Sequence, residues 1–452
     1  MSEWTDGALD SARRRARSFE RGALPADAER VARHCVLDWF GCAVAGARTD
    51  AARIVRNVTP AHVGDDAAGL VGVRGSRSLA DAALVNGVAS HALDFDDLHP
   101  GMSAHAGVAI LPALLAVGTA RSADLEAVLA ALVAGVEFGV EVGRLVGQRH
   151  YAEGWHTTGA VGAIAAAAAV AHLLRLDDDG WGAATALAST MSGGLRAMFG
   201  SMAKPLHAGR AASAGVLAAQ LAADGFTAAR TGLTGPLGFV TMFASAQALP
   251  PSATIPAIAQ TVFKLMAACT GTHASAHNAR EALARLGAGP DAVSHVEVFV
   301  SAENQSVCGI VDPRSGTEAK FSIRTTTALA FLGWDLADES TYDRSVRAAE
   351  VRDYAERIHV RYTPELEGRP FFARTRVLTA SGDELVVESD ASRPNPDADE
   401  REAGLRHKFH TLVDPLIGSV VADRLGEAIL TGRNVPVHDL VAMTRPETRD
   451  RT

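Results

Sequence analysis

The stretch that decides the fold is His91-Ala-Leu-Asp-Phe-Asp-Asp-Leu-His-Pro-Gly-Met-Ser-Ala-His105, which lies between two apolar runs, residues 82–89 and 107–118. Within it are three carboxylates and three imidazoles. Charged side chains are costly to bury, and adjacent carboxylates and imidazoles shift each other's pKa toward values at which proton transfer is efficient. We therefore predict that this polar stretch lies between buried segments and carries acid–base chemistry.

Composition limits the class of protein. The 452 residues suffice for two or three domains. A hydrophobic content of 48% with 21% charged residues is typical of a soluble globular protein, and the net charge of −9 argues against nucleic-acid binding. The longest run of low polarity, Val161–Leu174, is shorter than the roughly 20 apolar residues of a membrane span. Four cysteines without a C-x-x-C pair indicate neither zinc nor disulfides, so we expect a cytoplasmic enzyme.

Hydrophobic periodicity predicts a mainly α protein. Apolar residues recur with helical spacing as far as about residue 263. The helices predicted there are Ala26–Ala45, Leu79–Leu93, Leu125–Leu145, Gly162–Leu174, Trp181–Met191 and Ala208–Asp224. Helical spacing returns after the Pro- and Asp-rich turn at residues 393–399, in Glu400–Leu412 and Ile417–Leu430. We predict one large all-helical domain made of residues 1–263 and 399–452.

The middle of the chain has a different pattern. Period-two alternation predicts strands over Ser294–Val300 and Ile358–Tyr362, and an Ala-Ser-Gly-Asp turn predicts a hairpin of Arg374–Thr379 and Glu384–Glu388. Helical spacing covers Thr272–Leu286 and Ser322–Leu332. Residues 264–398 are therefore predicted to form a smaller α+β domain.

Two further segments carry candidate ligand-binding groups. Pro205 suits the first turn of a helix, which would place Lys204 at a helix N-terminus with His207 and Arg210 on roughly the same face, as in a carboxylate or phosphate site. The alternative is a basic surface turn. In Gly154-Trp-His-Thr-Thr-Gly159, His156 either faces a ligand at a helix start or is a solvated residue of a capping loop.

Metal chemistry is the less favoured interpretation of the acidic cluster. Asp96-Asp97 is similar to the magnesium motif of helical terpene synthases, and a His/Asp metal hydrolase is conceivable. However, Pro100 stands where the terpene synthase motif needs an acid. His273 and His277, four residues apart near Lys264, have no carboxylate between them. We predict no metal site.

Four segments in order resemble the MmgE/PrpD family, which includes 2-methylcitrate dehydratase, cis-aconitate decarboxylase and iminodisuccinate epimerase. They are Asn86–Asp97, Gly154–His156, Lys204–Arg210 and Asp312–Ser322. The resemblance implies a large helical domain, a smaller α+β lid and a homodimer that works without metal or organic cofactor on di- or tricarboxylic acids. It implies an active site between lid and helical domain, formed by Asp94, His105, His156, Lys204 and Lys264.

A common mechanism follows for such substrates, because carbanion character next to a carboxylate calls for a cation together with an acid and a base. We expect Lys204 to bind a substrate carboxylate, His105 and His156 to transfer protons, and Asp94 to orient an imidazole. The further residues predicted to bind substrate are His99, His207, Arg210 and Lys264.

The net reaction predicted from the sequence is dehydration of the 2-methylcitrate type, by a carbon–oxygen hydro-lyase. Epimerisation of an iminodisuccinate-like acid, catalysed by an isomerase, and decarboxylation of the cis-aconitate type are the alternatives. No tyrosine lies between Tyr151 and Tyr342, where the resemblance would require the lid tyrosine of a decarboxylase. A helical binding or scaffold protein without catalytic activity is a further alternative.

Overall fold

The computed structural model describes residues 2–229, 231–243 and 255–446. It divides the chain into two compact units. The first combines Met1–Phe263 with the returning segment Pro396–Thr452, and the second is Lys264–Asn395. Most of the described secondary structure is helical, which confirms the predicted mainly α class. The predicted boundaries, 1–263 with 399–452 and 264–398, and the role of the second domain as a lid stay predictions.

The first unit is built from helices and one short hairpin. Its helices are α1 Ser2–Arg17, α2 Ala26–Gly46, α3 Asp50–Val58, α4 Leu79–His91, α5 Ala106–Ala120, α6 Leu125–Ala152, α7 Thr157–Leu173, α8 Asp178–Met191, α9 Ala203–Ala223, α10 Phe239–Phe243, α17 Ala398–Ile417, α18 Ser419–Leu430 and α19 Val437–Met443. The hairpin pairs β1 Ala67–Gly69 with β2 Ser76–Ser78 in antiparallel register. None of these helices is long and apolar enough to cross a membrane.

Small residues let the central helices pack closely. α7 is buried along almost its whole length and packs against α5, α6 and α9. α4 and α9 approach so closely that a Cβ atom built on Gly87 would lie 2.7 Å from the Cα of Gly209. The alanine and glycine content therefore brings the helices that carry the polar segments next to one another.

Two helices of the first unit depart from their predicted boundaries, and a local feature explains each difference. α8 begins three residues before the predicted Trp181, because the side chain of Asp177 accepts a hydrogen bond from the N–H of Gly180 and caps the helix. α6 continues beyond the predicted end at Leu145 to Ala152, across a kink at Gly147, whose φ is +61°. A positive φ is accessible to glycine at little cost.

The second unit contains a four-stranded sheet and helices. Its elements are α11 His273–Leu286, β3 Val293–Ser301, α12 Asn304–Cys308, α13 Gly316–Ala319, α14 Ile323–Phe331, α15 Ser340–Ser345, α16 Ala349–Ala355, β4 Ile358–Thr363, β5 Phe372–Thr379 and β6 Glu384–Asp390. The strand order is β4-β3-β5-β6, with β3 and β4 parallel and the other pairs antiparallel. The predicted strands and hairpin are thus present, each strand extended by one or two residues.

Candidate active site

The loop between α4 and α5 carries most of the polar cluster. α4 ends at His91, and α5 begins directly after His105. Asp94 has a φ of +51°, a left-handed conformation that aspartate adopts more readily than most residues. Further along, the main-chain N–H and C=O groups of Leu98 and Val262 are paired at 2.8 Å. The loop is therefore fixed against the body of the first unit.

Asp96 is the carboxylate at the centre of this cluster. Its side chain is 1% exposed, and its oxygens lie 2.9 Å from His91 Nδ1 and 2.8 Å from His105 Nδ1. Burial alone would raise the pKa of Asp96, but the two imidazoles outweigh burial and hold it well below its usual range. Asp96 is therefore ionised. The orienting role predicted for Asp94 is matched more closely by Asp96, which makes the shorter contact with His105.

Asp94 and Lys204 form the more accessible side of the cluster. Lys204 is the second residue of α9, and its Nζ lies 2.6 Å from Asp94 Oδ1. The same carboxylate oxygen is 3.8 Å from His105 Nε2. Asp94 is 41% exposed at its side chain and Lys204 15%. An anionic ligand can therefore approach the ammonium group from the exposed side.

His156 joins the cluster from the start of α7. It is the residue before the first helical turn, and its main-chain N–H donates to the carbonyl of Gly194. Its Nδ1 lies 3.0 Å from the Nδ1 of His207, and its ring stacks on that of His91 with centroids 6.0 Å apart. Burial is the main cause that lowers the pKa of His91 to about 4 and holds that of His156 still lower. Both imidazoles are therefore neutral near pH 7.

The cluster combines the groups needed to move a proton beside an anion. An ionised carboxylate only accepts hydrogen bonds, so a proton on the ring nitrogen of His105 that faces Asp96 would leave Nε2 as the nitrogen able to act as a base. Lys204 supplies a fixed positive charge near that nitrogen. His156 and His207 share one hydrogen bond, so one Nδ1 donates and the other accepts.

Comparison with protein families matches both parts of the chain. The MmgE/PrpD N-terminal domain matches residues 15–252, and the MmgE/PrpD C-terminal domain matches residues 266–431. The chain belongs to the MmgE/PrpD family. The resemblance found in the sequence is thereby confirmed.

Relatives in the MmgE/PrpD family are described as cis-aconitate decarboxylases. The enzyme of Aspergillus terreus is 27% identical over 425 residues, which cover 86% of each chain. The Homo sapiens enzyme is 27% identical over 300 residues, 63% of this chain and 62% of its own. A cis-aconitate decarboxylase-like protein of Aspergillus oryzae is 28% identical over 242 residues, 50% of this chain and 49% of its own. These relatives and the family confirm that the chain is an enzyme of the lyase type.

Two residues predicted to bind substrate, His99 and Arg210, have other surroundings among the residues that the structure describes. His99 is buried, and its Nε2 lies 2.8 Å from the carbonyl of Ala257, an arrangement that serves the fold. Arg210 is exposed, because six residues along a helix place it about 120° around the axis from Lys204. Lys264 is buried as the first residue of the second unit. Their roles in substrate binding stay predictions.

Two residues missing from the predicted site are central to it. His91 and Asp96 both lie in the quoted stretch, but helical and loop spacing alone did not show which carboxylate reaches which imidazole. The five-residue spacing between His91 and Asp96 was an available signal. A helix that ends at His91 allows the chain to turn back and bring Asp96 against that imidazole.

The same group of side chains includes possible metal ligands. His91, Asp94, Asp96 and His105 offer ligand atoms that all lie within 4.8 Å of one another. However, the Lys204 ammonium already lies 2.6 Å from Asp94, where it would repel a divalent cation. Both imidazoles also point their Nδ1 at Asp96. These residues fit a metal poorly, and the absence of a metal from the reaction stays a prediction.

Proposed function

We propose that this MmgE/PrpD protein is a cofactor-independent lyase that transfers a proton at a carbon next to a carboxylate of a di- or tricarboxylic acid. The observation that carries the proposal is the convergence of Lys204, His105 and His156 around the Asp94–Asp96 loop. A binding protein without chemistry would have no need for an imidazole base held against a buried, ionised carboxylate.

The substrate we propose is an alkene tricarboxylate of the cis-aconitate type. The named relatives are cis-aconitate decarboxylases, which favours decarboxylation. The absence of a tyrosine between Tyr151 and Tyr342 favours dehydration of a 2-methylcitrate-like hydroxy acid as the second candidate. The two reactions involve the same kind of molecule, because dehydration produces an alkene tricarboxylate and decarboxylation consumes one.

In the decarboxylation, Lys204 and the first turn of α9 bind one carboxylate and balance the charge that develops. The anionic substrate favours protonation of the imidazoles beside it, and His105 or His156, once protonated in this way, donates a proton to one alkene carbon. The bond to the departing carboxylate breaks, its electron pair forms the new double bond, and CO2 leaves. Asp96 keeps His105 oriented throughout.

In the dehydration, the same groups work in the opposite direction. His105 Nε2 removes a proton from the carbon beside the bound carboxylate, and a second imidazole protonates the leaving hydroxide, so that water departs. His156 is the candidate for that second imidazole, because His207 fixes the orientation of its ring.

The proposal is tested by incubating the purified protein with cis-aconitate in deuterated water and following the solution by proton and carbon NMR. Decarboxylation gives CO2 and a deuterated alkene dicarboxylate, and reversal of dehydration gives a deuterated hydroxy acid. 2-Methylcitrate and iminodisuccinate-type acids in parallel samples test dehydration and epimerisation. A protein that incorporates no deuterium into any of these acids would contradict the proposed function.

Variants with matched chemistry locate the activity. Lys204→Met should abolish turnover. Lys320→Met is the control, because Lys320 is half-buried in the second unit and pairs with Glu339. Equal activity in both variants would remove Lys204 from the mechanism.

We also propose that the protein is a cytoplasmic homodimer. The family resemblance supports the dimer, and the cysteine content without C-x-x-C pairs supports a reducing compartment. Analytical ultracentrifugation at micromolar concentration tests the dimer.

A further inference from the structure

Behind the catalytic cluster lies a buried lysine that the proposed mechanism does not use. Lys408, in the returning helix α17, is 1% exposed. Its Nζ lies 2.5 Å from Asp38 Oδ1 in α2 and donates a hydrogen bond to the main-chain carbonyl of Phe95. The same ammonium group lies 4.0 Å from the centre of the Phe95 ring.

A buried ion pair is weak evidence for stability. Removing two charges from water costs about as much as their attraction returns, and apolar replacements are often neutral or stabilising. The pair of Lys408 and Asp38 therefore calls for a reason beyond holding α2 and α17 together. The bond to Phe95 supplies one, because this residue lies between the two carboxylates of the candidate active site.

The loop between α4 and α5 is held in place on both sides of Asp96. On one side, Lys408 binds the carbonyl of Phe95. On the other side, Asp97 is buried and accepts a hydrogen bond at 3.0 Å from the N–H of Gly107, in the first turn of α5. Asp96 is thus anchored through both of its neighbours, with its Oδ2 2.8 Å from His105 Nδ1.

We infer that Lys408 is a positioning residue, which fixes the Phe95 carbonyl and thereby keeps Asp96 in contact with His105. The effect on turnover rests on the proposed function, whereas the effect on loop geometry does not. Asp38 supplies the negative charge that makes the buried ammonium tolerable. It also faces the main-chain N–H of Asp97, and an asparagine at this position keeps an oxygen that can accept from that N–H.

The test separates positioning from the stability of the ion pair. Lys408→Met leaves Asp38 buried and uncompensated, so both the melting temperature and turnover should fall. The double variant Asp38→Asn/Lys408→Met removes both charges, so it should recover the melting temperature. Turnover should nevertheless remain about tenfold or more below wild type, because a misplaced catalytic group is costly even at a displacement of about 1 Å. Recovery of stability and turnover together would overturn the inference.

A second variant keeps the test decisive if the double variant folds poorly. Asp38→Asn alone lowers the melting temperature but leaves the bond from Lys408 to Phe95, so its turnover should exceed that of Lys408→Met at least tenfold. Equal losses in the two single variants would show that only the ion pair matters. Lys320→Met again controls for the loss of a lysine elsewhere.

A structural measurement distinguishes failure of this inference from failure of the proposed function. In a crystal structure of the ligand-free double variant, the contact of 2.8 Å between Asp96 and His105 should be lengthened or lost. An unchanged contact would refute the positioning role whatever the substrate is. A displaced loop in a protein that converts none of the tested acids would refute the proposed function alone.

Discussion

The closest approach of α4 and α9 yields a quantitative prediction for Gly209→Ala. A Cβ atom at this position would lie 2.4 Å from the carbonyl oxygen of Leu84 and 2.7 Å from Val88 Cγ2. Ordinary contacts between carbon atoms are about 3.5–4.0 Å, so the helices must separate by about 1 Å. Overpacking of this kind typically costs about 1–3 kcal/mol, partly offset by the gain of about 0.5–1 kcal/mol when glycine in a helix becomes alanine.

The same separation should affect the candidate active site. α9 carries Lys204 and α4 leads into Asp94, and the two side chains are 2.6 Å apart. A displacement of about 1 Å in such a contact can lower turnover about 100-fold. We therefore expect Gly209→Ala to melt a few degrees lower than wild type and to lose most of its activity, as measured by differential scanning fluorimetry and by the NMR assay.

Gly182→Ala is the matched control. Gly182 lies inside α8, and nothing lies within 4 Å of a Cβ atom built there. This variant should be as stable as wild type or more stable by about 0.5–1 kcal/mol, with unchanged turnover. If Gly209→Ala behaves like this control, the argument from close packing is refuted.

Three further predictions follow from the site. His156→Ala should lower turnover by about 100-fold or more while the far-ultraviolet circular dichroism spectrum stays unchanged, and near-normal turnover would exclude His156 from proton transfer. Activity should survive exhaustive dialysis against EDTA; loss with EDTA and recovery with one divalent ion would instead assign a metal to the aspartates. Burial lowers the pKa of His99 to about 4, against about 6.5 in an unfolded chain, so its contribution to stability is complete above pH 6.5 and is lost as the pH falls toward 4. His99→Gln should therefore flatten the decline in melting temperature from pH 7 to pH 5, and an identical decline in both proteins would contradict this.

The sequence predicted elements well where the signal is local. Period-two alternation located β3 and β4, and the Ala-Ser-Gly-Asp turn located the hairpin of β5 and β6. It did not predict that β3 and β4 are parallel, since pairing between distant segments depends on tertiary packing. The hairpin of β1 and β2 was missed because each strand has only three residues.

The candidate active site was predicted in its parts but not in its pairings. Asp94, His105, His156 and Lys204 do converge. The contacts of Asp96 depend on the left-handed turn at Asp94, and single-sequence patterns do not predict such a turn at a non-glycine residue. The role of Lys408 could not be predicted from the sequence for a different reason: an isolated lysine in a polar helix resembles a surface residue until its neighbours are known.

The return of α17 to the first unit has a consequence for how the protein is made. A ribosome completes α2, α4 and the loop around Phe95 long before it reaches Lys408, because the whole of the second unit, Lys264–Asn395, is translated in between. At about 5–20 residues per second, translation of the chain from Phe95 to Lys408 takes roughly 15–60 s, and throughout that time Asp38 lacks its buried counter-charge. During that interval the apolar surface of α2 that α17 covers stays exposed, and exposed apolar surface makes an incomplete fold prone to aggregation. A gene fragment that stops at Phe263 should yield an aggregation-prone protein rather than an autonomous domain.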